Sequence, residues 1–313
     1  MEHKIATNNG FAPHLALVCC NLLWAVDYPL YHILLPHYMS PILLLSAALV
    51  ATTIFASIAA AHSGLERVKG RDMWVLVGAA LLLGVIHKGS LMLGLSRTSP
   101  VDGSIINTAG PLIVLIFSVI MQLDKLTPTK LVGLAIGLAG AVAVILTGDH
   151  SSHAESTLEG NLLIVCAVAA TALYTVFLKR TLAKYKVTTV LFWVYLLSSV
   201  IVLPWGISDL VHSDFSNWDH KATISFVIIM CALTYLPNFL YNFALQHIKP
   251  FQTSIFSYIQ PVAAIALSVI LGLDKVQPET YLFAAGVFVG IGIVLWAYRQ
   301  DARKASNVVG KRK

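Results

Sequence analysis

Charged side chains are scarce in this sequence. Asp, Glu, Lys and Arg make up 12% of the 313 residues, whereas hydrophobic residues make up 57%. A soluble domain carries about 25% charged residues, so the composition excludes an ordinary soluble protein. Many apolar runs reach the roughly 20 residues with which a helix spans a bilayer. The short alternating segments of a membrane barrel are absent, and the sequence therefore predicts an all-α membrane protein.

Several chemical signatures are also missing. The cysteines lie in apolar runs without a CxxC pair, which argues against a metal site or a disulfide framework. The sequence contains no glycine-rich phosphate loop, no HEXXH and no GxSxG motif, so we expect no nucleotide, no cofactor and no metal. The net charge of +6 would suit a nucleic acid partner, but a topology signal explains the basic residues better.

The apolar runs predict ten transmembrane helices in two sets of five. Their approximate ranges are 13–35, 40–61, 73–94, 100–122, 128–147, 159–181, 188–208, 221–245, 250–272 and 279–298. We expect a cytoplasmic N-terminal segment (1–12), a first repeat (13–147), an external linker (148–158), a second repeat (159–298) and a basic cytoplasmic tail (299–313).

The distribution of basic residues predicts the orientation. With both termini in the cytoplasm, about 17 of the Lys and Arg residues lie inside and about 3 lie outside. Lys88 is the remaining one and lies within a helix. The chain is therefore expected to be a multi-pass protein of a cell membrane, in a bacterium the inner membrane, surrounded by membrane lipid.

An internal duplication organises the chain. Leu95–Pro128 recurs as Leu245–Pro278 at a constant offset of 150, so that LDKLTP is matched by LDKVQP. Because each half has five helices, the second half enters the membrane from the opposite side and the repeats are inverted. Such architectures place a substrate site near the midplane, at the repeat interface.

Both copies carry a polar stripe on a helix that a proline interrupts. The spacing 0, 3, 4, 7 puts four residues on one helical face. These are Ser104, Asn107, Thr108 and Pro111 in the first copy, and Ser254, Ser257, Tyr258 and Pro261 in the second. Each proline frees a carbonyl four residues earlier. We therefore predict that Asn107 and Ser257 contact ligand or water, and that the helices hinge at Pro111 and Pro261.

Ionisable residues inside the membrane are functional candidates because their burial is costly. Asp27 shares a face of helix 1 with Trp24 and Tyr28, and His87 and Lys88 lie in helix 3. Two interpretations stay open for this group. Asp27, His87, Lys88 and Asp102 could bind a substrate or couple transport to protons, or they could be structural, with Lys88 paired to Asp27 or Asp102 and Asp102 capping helix 4.

Two further stripes extend the predicted cavity. Helix 8 carries Tyr235, Asn238, Asn242 and Gln246, and helix 6 carries Thr171, Tyr174 and Thr175. Interhelical hydrogen bonding uses the same residue types, but three stripes together favour a cavity for a small polar or zwitterionic molecule. Glycines in helices 5 and 10, among them Gly133, Gly137 and Gly290, predict close helix packing. A homodimer through these faces is the weaker alternative.

The repeated stretch resembles the drug/metabolite transporter superfamily, and its EamA-type branch in particular. The resemblance rests on GLSRTSPVDGSIINTAGP followed by LDKLTP, on the second copy of this pattern, and on LLWAVDYPLYHILL in helix 1. It covers about residues 13–298. Two features depart from the family: Asp124 and Asp274 stand where Glu is usual, and helix 2 has no charge.

This resemblance implies a secondary transporter, often an exporter of amino acids or other small metabolites, with a cavity between helices 1, 3, 4, 6, 8 and 9. We therefore expect alternating-access transport and no enzymatic activity. Two alternatives from other classes are an intramembrane lipid-modifying enzyme and a membrane subunit that does not transport.

Overall fold

The structure is a computed structural model. It describes residues 11–35, 37–122, 125, 127–147, 157–213, 215 and 218–260, together with scattered positions between 263 and 300. The predicted terminal segments, most of the 148–158 linker and most of the last two predicted helices lie outside the described residues. Every regular element within the described residues is helical.

The first eight described helices follow the predicted ranges to within about three residues at each end; the ninth begins at Pro250 as predicted, and most of its predicted range after residue 260 lies outside the described residues. The described helices are α1 (Phe11–Leu34), α2 (Pro41–Ser63), α3 (Gly70–Leu95), α4a (Pro100–Asn107), α4b (Gly110–Ile120), α5 (Pro128–Thr147), α6 (Leu158–Leu182), α7 (Val187–Val211), α8 (His220–His247) and α9 (Pro250–Ile255). Among the described residues, α1, α2, α3, α6, α7 and α8 are long and apolar enough to cross a membrane.

Local sequence signals define several helix ends. Ser40 caps α2 by accepting a hydrogen bond from the Leu43 amide at 3.1 Å, and Pro41 fits the first turn, where no amide donor is needed. Asp219 caps α8 in the same way through the Ala222 amide at 2.7 Å. This hydrogen bond lowers the pKa of the Asp219 carboxyl. These caps satisfy amides that the helices cannot satisfy internally.

Three helices are interrupted along their length. α3 contains a π-helical stretch, Leu81–His87, and α8 contains another, Ile229–Leu233. The fourth predicted helix is divided into α4a and α4b, and α4a ends at Asn107. Pro111 explains that end, because it cannot donate to the Asn107 carbonyl.

α2 and α7 pack along their whole length in antiparallel orientation. Ser40 bonds to Asp209 near one end, Thr53 to Ser199 in the middle at 2.8 Å, and Ser63 to Thr188 near the other end at 2.7 Å. Residue numbers rise along α2 as they fall along α7. The second helices of the two halves therefore run in opposite directions.

The loops before α3 and after α6 meet at one end of the helix bundle. Lys184 Nζ and the Tyr185 hydroxyl donate to the Asp72 carboxylate at 2.8 and 2.9 Å, and the Lys69 amide donates to the Tyr185 hydroxyl at 3.2 Å. We call the end formed by residues 64–72 and 183–186 the basic end. Arg97 pairs with Glu159 at the opposite end, because α3 and α6 each cross the bundle.

Glycines bring α5 close to the segment around residue 290. A methyl group added to Gly290 would overlap the backbone of Gly133 and Gly137. The glycine faces thus pack within one chain, as the sequence predicts. Because these glycine faces contact each other within the chain, they do not support the predicted homodimer.

Candidate functional site

A central cavity lies between six helical segments, α1, α3, α4a–α4b, α6, α8 and the segment that begins with α9. Its empty volume is about 940 Å³, part of it continuous with the exterior. The helices that form it are those that the family resemblance implies.

Most of the predicted site residues line this cavity. They are Trp24, Asp27, Tyr28, His87, Lys88, Asn107, Pro111, Tyr174, Asn238, Asn242 and Ser257. Thr108, Tyr235 and Asp102 are not among the residues that line it; Asp102 is buried at the start of α4a, where its amide donates to Ser99 Oγ at 3.0 Å. The side chains of Ser104 and Tyr258, and all of Pro261, lie outside what the structure describes.

An acidic and a basic side chain lie on the wall that α1 and α3 form. Asp27 and Lys88 are both buried and line the same cavity. Within the described residues, Asp27 Oδ1 has no hydrogen-bond partner. His87 uses its Nδ1 to contact the Ala167 carbonyl at 3.0 Å. Lys88 directly follows the π-helical stretch of α3, and such local widenings are frequent at functional sites.

Three hydroxyl groups of the cavity wall are also unpartnered in the described part of the chain. They belong to Tyr31 on α1, Thr171 on α6 and Ser257 after α9. A buried polar atom without a partner is costly. Because these oxygens and Asp27 Oδ1 line one cavity, a polar ligand or water would satisfy all four.

A chain of amides crosses the cavity between α1, α4a and the segment after α9. Gln260 Nε2 donates to Asn21 Oδ1 at 2.6 Å, and Asn107 Nδ2 donates to Gln260 Oε1 at 2.8 Å. Asn21 Nδ2 in turn donates to the Leu17 carbonyl at 2.7 Å. The sequence-based prediction included Asn107 but missed Asn21 and Gln260. The spacing of Asn21 from Trp24 and the position of Gln260 before Pro261 were available signals.

The α6 and α8 side of the cavity is aromatic and internally bonded. The Tyr174 hydroxyl donates to Asn242 Oδ1 at 2.8 Å, and the hydroxyls of Thr175 and Tyr241 bond at 2.8 Å. The rings of Trp24 and Tyr241 lie 5.3 Å apart. This wall can pack against the body of a ligand, while the α1 and α3 wall carries the charges.

Comparison with known protein families also divides the chain into two matching ranges, one in each half. The model of the EamA-like transporter family matches residues 12–146 and 158–296. The chain belongs to the EamA-like transporter family. The resemblance to the drug/metabolite transporter superfamily is thereby confirmed, and this EamA-like protein is a multi-pass membrane transporter of small molecules, not an enzyme. The lipid-modifying enzyme and the non-transporting subunit are excluded.

Relatives of this EamA-like protein are distant in sequence. It is 22% identical to the uncharacterized transporter YetK of Bacillus subtilis, over 79% of this chain and 75% of that protein. An uncharacterized transporter of Archaeoglobus fulgidus is 25% identical, over 82% and 90%. One solved crystal structure superimposes with a TM-score of 0.65 at 16% identity, covering 90% of this chain and 98% of that one, which is a likeness of fold alone.

Proposed function

We propose that the protein is a secondary transporter that exports small zwitterionic metabolites, amino acids or related compounds, by alternating access. The observation that carries this proposal is the buried pair of opposite charges on the cavity wall. Among the described residues Asp27 offers a carboxylate oxygen without a partner, and Lys88 lines the same cavity. A zwitterion presents an ammonium to the first and a carboxylate to the second.

The rest of the cavity suits the remainder of such a substrate. The unpartnered hydroxyls of Tyr31, Thr171 and Ser257 can donate or accept hydrogen bonds. The rings of Trp24 and Tyr241 provide apolar contact area. Binding of one charged and one neutral end would fix the orientation of the substrate in the cavity.

We further propose ten helices in two inverted repeats, with both termini in the cytoplasm and the basic end facing it. The antiparallel packing of α2 against α7 and the two matched ranges support the inverted repeats. The orientation is supported by the meeting of Lys69, Lys184 and their loops at one end. Rocking of the repeats would hinge near Pro111 and Pro261, and Asp27, His87, Lys88 and Asp102 would couple it to protons.

Flux into proteoliposomes tests the function. The purified protein should exchange at least one amino acid from a broad panel, and an imposed pH gradient should change the rate. Asp27→Asn should lower substrate affinity by about 10- to 100-fold, because one charge-assisted hydrogen bond contributes about 1.5–3 kcal/mol.

Asp219→Asn is the matched control. It makes the same chemical change at a helix cap outside the cavity, where asparagine also caps well, and should leave flux unchanged. Absence of specific flux for every panel member would overturn the proposed function. Indifference to the pH gradient would overturn proton coupling alone.

A further inference from the structure

Residues that lie 150 positions apart in the sequence come together at the cavity. Both members of at least three such pairs line it: Trp24 and Tyr174, Asn107 and Ser257, and Gly110 and Gln260. Both residues of the first pair are aromatic, and both residues of the second pair are short and polar. The third pairs a residue without a side chain with a long amide, so the two walls differ in shape there.

The Gln260 side chain bonds to the protein through both its amide nitrogen and its amide oxygen. It is 5% exposed, donates to Asn21 Oδ1 at 2.6 Å and accepts from Asn107 Nδ2 at 2.8 Å. It therefore occupies its part of the cavity wall as a fixed group. At the corresponding position of the first half, Gly110 has no side chain with which to form such a wall.

Contacts with the described residues beyond its chain neighbours do not require glycine at position 110. An added Cβ would meet only Val168 Cγ1, at an ordinary contact distance of 3.5 Å, and Gly110 has no positive φ. Gly84 and Gly94 differ, because a Cβ there would overlap Ser198 and Ile164. Pro111 restricts the residue before it in the helical region, but Gln260 is helical with a full side chain in the same place before Pro261, so this restriction does not require glycine.

The space beside Gly110 has the character of a binding subsite. Val168 borders it with a methyl group. Thr171 lies one turn further along the same face of α6 and lines the same cavity. Its buried Oγ1 has no partner within the described residues. The subsite thus offers an apolar surface with one hydrogen-bonding hydroxyl.

We propose that Gly110 is a specificity-determining residue, whose missing side chain holds open the subsite for the substrate's side group and sets the largest group accepted. This proposal rests on the proposed transport function and deepens it. The charged head of the zwitterion lies at Asp27 and Lys88, and its side group lies between Gly110, Val168 and Thr171. The favoured substrates carry a branched or aromatic side group.

Graded side groups test the proposal. Counterflow of glycine, alanine, threonine, leucine and phenylalanine is measured in proteoliposomes that contain the wild type, Gly110→Ala or Gly110→Ser. Both variants should lower kcat/KM for leucine and phenylalanine by about 10- to 200-fold, the effect of about one methylene in an apolar pocket. Glycine and alanine should be transported as by the wild type, within about twofold.

Gly292→Ala is the matched control, because Gly292 is exposed and an added Cβ there would meet nothing within 4 Å. It should leave the whole panel unchanged. Equal losses of kcat/KM for all five substrates in the Gly110 variants would assign this glycine to hinge motion and overturn the proposal. Variants with the same substrate selectivity as the wild type would also overturn it. If the wild type transports none of the five, this proposal is overturned, whereas the proposed function fails only if the broad panel also shows no specific flux.

Discussion

Replacement of Gln260 by leucine tests whether the amide chain holds the two halves of the cavity together. The substitution keeps the approximate size of the side chain and removes two interhelical hydrogen bonds, to Asn21 Oδ1 at 2.6 Å and from Asn107 Nδ2 at 2.8 Å. No group of similar chemistry replaces the amide, so the two asparagines lose their partner at once.

The two asparagines should contribute unequally to the cost. Asn21 also lines the cavity but is only 1% exposed, so the loss of its partner leaves an acceptor with little access to water, at about 1–3 kcal/mol. Asn107 is half-buried and lines the cavity, so water can replace part of its bond. Hydrogen bonds between membrane helices average about 0.6 kcal/mol. We therefore expect a loss of about 1–3 kcal/mol in the free energy of unfolding, mostly from Asn21.

Unfolding of the purified protein by SDS in mixed micelles measures this loss. Gln252→Leu is the control, because Gln252 is exposed on α9 and the same change there should be nearly neutral. The double variant Asn21→Leu, Gln260→Leu should recover part of the loss, since removal of both partners leaves no orphaned acceptor. If Gln260→Leu is as stable as Gln252→Leu, the amide chain does not stabilise the fold and the reasoning is wrong.

Two further predictions concern helix contacts away from the cavity. Lys179 Nζ donates to the carbonyls of Leu245, Gln246 and Ile248 at 2.5, 3.1 and 2.8 Å. Lys179→Met should therefore lower the free energy of unfolding by about 2–3 kcal/mol, whereas Lys221→Met, at an exposed position, should not. Equal SDS midpoints for the two variants would contradict this prediction. A Cβ on Gly206 would overlap the Ser46 side chain, so Gly206→Ala should cost about 1–3 kcal/mol in the same assay and Ser46→Gly should restore the loss; a failure of that rescue would refute the packing explanation.

The helices were predictable because hydrophobic length and capping residues are local properties. α2 begins after Ser40 with Pro41, and the run to Ser63 is mostly apolar and contains no Asp, Glu, Lys or Arg. Both π-helical stretches escaped prediction, because their extra residue per turn depends on the neighbouring helices and not on a local motif. The same holds for Lys179, which was counted as a topology signal and proves to cap the end of α8.

Site residues were predictable where a costly group stood alone in an apolar run. Asp27 and Lys88 drew attention for that reason, and both line the cavity. Gly110 carries no such signal, since glycine is common in membrane helices. Thr108 and Tyr235 share helical faces with cavity residues by spacing, yet they are not on the cavity wall, because the breaks at α4a–α4b and before Leu236 turn the helices away from an ideal period.

The sequence by itself determined that this is a helical membrane protein, duplicated at an offset of 150, with few charges inside the membrane. Those properties follow from hydrophobicity and internal comparison, which need no contacts. Only the tertiary structure decided which polar residues satisfy one another and which remain unpartnered. Asn107 donates a hydrogen bond to Gln260, whereas Asp27 Oδ1 has no partner among the described residues. Hydrogen bonding depends on distances between helices that are far apart in sequence, and the unsatisfied atoms are those that point to a ligand.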